Sequence, residues 1–187
     1  MKTSFIAALI AAAVSFPVAA QAQSAYVGIN AGQSEQKISA DKYSAKESAT
    51  GYKAYAGYNF DKNFGLEAGY VDSGEADFKF VGVPYTLKTQ SAYLAATATL
   101  PVNNEFSLFA KAGIANNRIK GAVSFGGITE KDDSDDRTTA MFGLGASYAV
   151  AQNISIVAEY ENFGKVAKGD NSNVKTDLVS LGLRFKF

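Results

Sequence analysis

The chain has 187 residues, balances 18 basic against 18 acidic side chains, and contains neither cysteine nor histidine. The neutral balance gives no reason to expect nucleic acid as a partner. Without cysteine there are no disulfides and no thiolate metal sites, and without histidine Ser–His and Asp–His activation is excluded.

Met1 to Ala22 starts on a charge at Lys2, runs apolar from Phe5 to about Ala20, and reaches the small-x-small pattern Ala20-Gln21-Ala22. That is the pattern of a secretory signal peptide cleaved after Ala22, and the run, broken by Ser15 and Pro17, is short for a membrane span. The mature chain, residues 23–187, is expected to form one domain. None of its segments approaches the roughly 20 consecutive apolar residues of a membrane helix. If it spans a bilayer, it must do so as a closed barrel, because lipid satisfies no open strand edge.

Eight segments alternate apolar with polar or small residues, the period of two that marks a strand. In chain order they are about Ala25 to Gln33, Thr50 to Phe60, Phe64 to Ser73, Leu87 to Leu100, Glu105 to Arg118, Thr138 to Val150, Ile154 to Gly164 and Val179 to Phe187. Asp61-Lys62-Asn63, Pro101 to Asn104 and Ala151-Gln152-Asn153 read as short turns. Four long polar connections are expected as loops: Ser34 to Ala49, Gly74 to Thr86, Ile119 to Arg137 and Lys165 to Thr176. An even strand number, strands near ten residues, and short turns alternating with long loops together predict an all-β, eight-stranded antiparallel up-and-down transmembrane β-barrel.

The two strand faces separate a lipid-embedded barrel from a soluble one. Lys53, Glu67, Lys111, Glu159, Glu161, Arg184 and Lys186 share their face with Gly28, Gly51, Gly57, Gly69, Gly113, Gly143 and Gly182, as a cramped interior requires. The opposite face is rich in Ala, Leu, Ile, Val, Phe and Tyr, with no charge in the central part of any strand. Charge there would cost roughly 2–4 kcal/mol at the midplane. On this face Phe60, Phe64, Phe106, Tyr148 and Phe187 gather at the short-turn end and Tyr52, Tyr70 and Tyr160 toward the other. At ~3.3 Å per residue and ~40° tilt, Tyr52 and Phe60 differ by about 20 Å in height, near the ~25 Å apolar band of such barrels.

The signal peptide, the segments FGLEAGY and ISIVAEYENFGKV, and the ending DLVSLGLRFKF resemble the small outer-membrane β-barrel family of OmpA-type transmembrane domains, OmpX-type barrels and opacity-protein-like surface antigens. The resemblance implies the outer membrane of a Gram-negative bacterium. It also implies that Leu183, Phe185 and Phe187 form the signal read by the outer-membrane assembly machinery. OmpA proper continues into a peptidoglycan-binding domain; this sequence stops at Phe187, so wall tethering is not carried over.

The interior charges Lys53, Glu67, Lys111, Glu159, Glu161 and Arg184 form the sharpest candidate constellation. Glu67 is expected to neighbour Lys53 and Glu159 to neighbour Arg184, since their strands are adjacent. Buried charges must be paired. They read either as a plug that fills the lumen, with Tyr55, Tyr93, Phe109 and Met141 beside it, or as a gated ion path. Glu159 and Glu161, placed at a strand end beside cations, are expected to be structural rather than an acid–base pair. The acidic cluster Glu130 to Asp136 lacks the glycine and spaced ligands of a calcium loop and reads as solvated. Tyr43, Phe78, Phe80, Tyr85 and Phe125 lie within the long connections, which could bind a host or surface ligand. The expected role is structural or surface-interaction, with a small porin as the alternative. Expected partners are membrane lipid, lipopolysaccharide and the assembly machinery; no enzyme activity, cofactor or metal is expected, and the barrel reads as monomeric.

Overall fold

A computed structural model describes residues 24–40, 43–80, 83–125, 128–131, 135–168 and 172–187. The expected leader, with Ala20 and Ala22, lies outside the described residues. Nine strands follow one another: β1 (Ser24–Ala40), β2 (Tyr43–Asn59), β3 (Phe64–Phe80), β4 (Val83–Pro101), β5 (Phe106–Phe125), β6 (Ile128–Lys131), β7 (Asp135–Ala149), β8 (Ile154–Lys168) and β9 (Ser172–Lys186). All pairings are antiparallel, and the β4–β5 and β1–β9 pairings close eight strands into a barrel. The short β6 stands outside the closure and, among the described residues, pairs only with Ala122–Phe125 at the end of β5.

The stagger of the barrel follows from the register. The circuit Ser24, Asn59, Gly65, Thr97, Lys111, Gly143, Glu161, Leu178 steps directly from strand to strand and returns to β1 at Ser34, ten residues above its start. With ~3.3 Å per residue and ~4.7 Å between strands, this stagger tilts the strands about 41° and closes them at a radius of about 8 Å. Each residue then climbs about 2.5 Å along the barrel axis. At that radius side chains alone fill the interior.

The short turns are made by local hydrogen bonds. Asp61 Oδ1 accepts from the backbone N–H of Asn63 and Phe64, both at 2.7 Å, and Asn103 Oδ1 accepts from Glu105 and Phe106 at 2.9 and 2.7 Å. At the opposite end the expected long loops are mostly strand. β1 and β2 stay paired up to Ala40↔Tyr43, β3 and β4 to Phe80↔Val83, and β8 and β9 to Lys168↔Asn173. The backbone pairing continues there although the sequence no longer offers one consistently apolar face. Two glycine bulges mark the change. The register slips between Asp72 and Glu75 and between Asn162 and Lys165, and β8 slips again between Lys165 and Ala167. Gly74 and Gly164 take φ of 76° and 72° there, which glycine alone adopts without strain. At each bulge the preceding Asp72 or Asn162 Oδ1 accepts the glycine N–H at 3.0 Å.

The outer wall carries Ile29, Leu66, Leu94, Ile114, Leu144, Val179, Leu181 and Leu183 exposed on its surface. It is bounded by the short turns on one side. On the other it ends at outward-facing polar residues, among them Gln33, Thr50, Asn116 and Asp177. From Ser24 to Gln33 the wall rises about 22 Å at the derived tilt, which matches the ~25 Å apolar band of an outer-membrane barrel. Phe60, Phe64 and Tyr148 are exposed at the short-turn rim, and Tyr52, Tyr70 and Tyr160 in the other half.

Candidate functional site

Every lumen position sits on a strand whose alternation sends one residue inward and the next to the wall. Lys53, Glu67, Lys111, Glu159, Glu161 and Arg184 are all buried. Their registers place them within one central tier. The Lys111 ammonium contacts all three carboxylates, at 2.6 Å to Glu67, 2.7 Å to Glu159 and 3.2 Å to Glu161. Lys53 crosses the lumen to Glu159 and to Glu161, the latter at 3.0 Å. Arg184 lies 3.6 Å from both Glu67 and Glu159. Three cations thus meet three carboxylates, and charge cancels inside the tier. The side chains of both lysines and all three glutamates are 0 % exposed, and that of Arg184 is 9 % exposed at the tier's lower edge.

Aromatic side chains wall the charges in. Tyr26 and Tyr93 donate to Glu67 at 3.0 and 2.7 Å, so that carboxylate is fully occupied without water. The Arg184 guanidinium lies 4.5 Å from the Tyr26 ring centre and 5.0 Å from that of Phe109, and Lys53 lies 4.5 Å from that of Tyr55. These contacts add cation–π attraction in a desolvated space. Each ring rests over a glycine directly opposite on the next strand: Tyr26 over Gly57, Tyr55 over Gly28, Tyr93 over Gly69 and Phe109 over Gly145. A Cβ at Gly69 would come within 2.6 Å of the Tyr93 ring. Gly28, Gly57, Gly69 and Gly145 are therefore seats for the aromatic rings.

Several expectations about this site are corrected. Lys53 does not pair with Glu67: Gly57 stands opposite Glu67 while Lys53 stands opposite Val71, so the two charges are four residues apart along the pair. The Asp61 turn sets that register, and strand adjacency alone does not reveal it. Glu159 and Glu161 lie well inside β8, not at its end. Lys186 is exposed at the rim and outside the network. Leu183 and Phe185 face the wall, and Phe187 donates its backbone N–H to Ala25 at 3.0 Å. The Glu130 to Asp136 cluster falls largely outside the described residues, as do the side chains of Tyr43, Phe78, Phe80, Tyr85 and Phe125. Within that cluster Asp136 accepts two hydrogen bonds from Arg118, at 2.7 and 2.8 Å. On the first projecting hairpin, Lys46 lies 2.9 Å from Glu35, and that hydrogen bond raises the ammonium pKa.

Two further tiers lie above the charges, and of their residues the sequence pointed only to Met141 as lumen-filling. Above the charges lie Val71, Ala115, Met141, Phe163 and Leu178, all buried. Above these lies a polar tier of Ser34, Gln36, Ser73, Thr89, Ser91, Asn117 and Thr176, each 0 % exposed. Inward parity marks these residues as lumenal, but their height depends on the stagger, which only the closed register supplies. Glu67, Glu159 and Glu161 bring carboxylate oxygens within 4.8 Å of one another, the spacing of a cation site, but the Lys111 ammonium occupies its centre.

Comparison with known proteins agrees with this geometry. The model of the OmpA-like transmembrane domain matches residues 20–187. The chain is 30% identical to outer membrane protein P5 of Haemophilus influenzae, over 100% of its own length and 61% of that protein's. It is 28% identical to outer membrane protein A of Yersinia pseudotuberculosis over 73% of its length and 40% of that protein's. The chain thus spans about two fifths to three fifths of these relatives. Among solved structures, neisserial surface protein A superposes with a TM-score of 0.62 at 23% identity, covering 89% of this chain and all of that one. The attachment invasion locus protein Ail of Yersinia pestis, in complex with the heparin analogue sucrose octasulfate, superposes at 0.54 with 21% identity, covering 86% of this chain and 99% of that one. With a closed eight-stranded wall, an apolar outer band and this match across the barrel, the chain belongs to the OmpA-like transmembrane domain family and resides in the outer membrane of a Gram-negative bacterium.

Proposed function

We propose that the barrel acts as a closed structural and surface-interaction element of the outer membrane. It would contribute to membrane integrity and present its projecting hairpins to adhesion partners. The observation that carries this reading is the central tier, where three cations and three carboxylates neutralise one another with both lysines and all three glutamates fully buried. Removing one member of such a network strands a buried charge, at about 3–5 kcal/mol, so the tier resists opening. It argues against the porin alternative. It also speaks against catalysis by Glu159 and Glu161: Lys53 and Lys111 hold Oε2 of Glu159 and both oxygens of Glu161.

The same reading places Ala20 and Ala22 at the cleavage site of an export signal, with residues 23–187 as the mature domain. Leu183, Phe185 and Phe187 engage the assembly machinery. Lipid and lipopolysaccharide surround a monomer without cofactor. Recording from the purified barrel in planar bilayers tests the closed lumen. Silence is expected, and a steady unitary conductance that changes in Lys53→Ala or Glu67→Ala would overturn it.

A further inference from the structure

The register sets a row of lysines across the β1–β2 and β8–β9 hairpins. Lys37 on β1 is paired directly with Lys46 on β2 and with Lys175 on β9, and Lys165 on β8 is opposite Lys175. Lys37, Lys46 and Lys175 continue the outward parity of Ile29, Tyr52 and Val179, which are exposed on the same three strands. Like charges directly opposite one another destabilise a strand pair. One carboxylate offsets the row in part, since Lys46 lies 2.9 Å from Glu35. Asp177, paired with Glu35 in the row below, accepts hydrogen bonds from Tyr160 and Asn162. Among the described residues, Lys37 and Lys175 have no carboxylate within ion-pair distance. On the other side of the barrel the rim cations are matched. Lys88 lies 3.6 Å from Asp72 and 3.5 Å from Glu75, and Arg118 is paired with Asp136.

Below this row the wall is indented. Ala31 stands directly between Leu181 on β9 and Tyr52 on β2, and Ala54 is paired with Ile29. The two alanines form the floor, and the larger side chains the banks, of an apolar groove of about 630 Å³. At about 2.5 Å of height per residue, Ala31 lies about 17 Å above Ser24, in the half of the apolar band nearer the hairpins. By the same rise Lys175 stands about 5 Å above Asp177, and Lys37 and Lys46 about 10 Å above Gln33 and Thr50 at the polar edge of the wall. The headgroup layer of a bilayer is about 5–8 Å thick on each side. The lysines therefore stand in or just past that layer, with the groove beneath them in the hydrocarbon.

We infer that this face of the barrel seats an anionic lipid of the leaflet on the hairpin side, with an acyl chain in the Ala31–Ala54 groove and phosphate groups on Lys37, Lys46 and Lys175. The inference rests on the reading of lipopolysaccharide as a surrounding lipid and deepens it, giving that lipid a fixed place on β9, β1 and β2. Apolar burial holds the chain. Each lysine near an anionic surface contributes about a fivefold gain in binding, so a headgroup with two phosphates matches the row better than one with a single phosphate. Phosphate there also relieves the Lys37–Lys46 and Lys37–Lys175 repulsion that the protein compensates only in part.

The test is native mass spectrometry of the mature barrel released from phosphatidylcholine vesicles doped with lipid A, in its bisphosphorylated or its phosphate-free form. The gel shift between folded and heated protein checks that each variant is folded. The wild type is expected to retain the bisphosphorylated form and not the phosphate-free one. Lys37→Gln/Lys175→Gln should lower retention about 25-fold, at about fivefold per lysine. Ala31→Phe fills the groove and should lower retention with every lysine in place, whereas Lys88→Gln on the other side of the rim should leave it unchanged. Equal retention by the wild type and all three variants, with lipid A still preferred to phosphatidylcholine, would overturn the seat and leave lipopolysaccharide as a surrounding lipid. No preference for lipid A in the wild type would overturn both readings. Binding of soluble heparin that needs the lysines, with lipid retention unmoved by Ala31→Phe, would assign the row to a soluble polyanion and overturn the lipid.

Discussion

Replacing Ala96 with arginine probes the wall at its most demanding point. Ala96 is exposed on the outer face and pairs with Leu66 on β3 and Ala112 on β5. It lies five residues above Pro101, where β4 ends at the short turn. At the derived rise of about 2.5 Å per residue, that puts it about 12 Å above the lip, the middle of a ~25 Å band. An arginine there should cost about 2–4 kcal/mol, whereas the same change at Val102, exposed in the turn itself, should cost about 0–1 kcal/mol. At a factor of ten per 1.4 kcal/mol, Ala96→Arg should lower the folding constant roughly 30- to 700-fold. Equilibrium urea titrations of the barrel in lipid vesicles, followed by tyrosine fluorescence or circular dichroism, measure both variants. Equal costs at Ala96 and Val102 would refute the derived tilt and the position of the lipid band together. Thr97→Arg, one residue on but facing the lumen, should show no such dependence on bilayer depth.

The lumen gives further expectations. Lys111→Met leaves three carboxylates against two cations and should destabilise the barrel by about 3–5 kcal/mol in the same titrations, with Glu67→Gln in the same chain restoring part of the loss. Gly69→Leu drives a side chain into the Tyr93 ring and should cost about 1–3 kcal/mol, largely recovered when Tyr93→Ala vacates the seat. Phe185→Ser with Phe187→Ser should slow insertion into the outer membrane of living cells more than refolding into vesicles, scored by the gel shift between folded and heated protein; equal slowing of both would assign these rings to packing alone.

Where one face met lipid and the other a packed lumen, the alternation was clean, and the interior positions of Lys53, Glu67, Lys111, Glu159, Glu161 and Arg184 could be assigned by parity. Beyond Gln33 the inward residues Ser34 and Gln36 are as polar as their outward neighbours, so the strand continues with no apolar alternation to reveal it. The hairpins that extend β1 to Ala40 and β3 to Phe80 were therefore expected as loops. Parity also could not choose partners: Lys53 reaches across the lumen to Glu159 and Glu161 instead of to Glu67 on the neighbouring strand.

The sequence by itself determined which way each side chain points, how many strands cross the membrane, and that the interior had to balance its charges. These properties follow from a period of two and from the cost of exposing charge to lipid. The closed register alone decided height. A stagger of ten residues around eight strands brings Glu67, Lys111 and Glu159 to one level, sets Val71, Phe163 and Leu178 above them, and leaves the buried Ser34, Gln36, Ser73 and Thr176 at the top. Level in a barrel is a property of the whole circuit, since each strand's position is set by all the turns and pairings between it and β1.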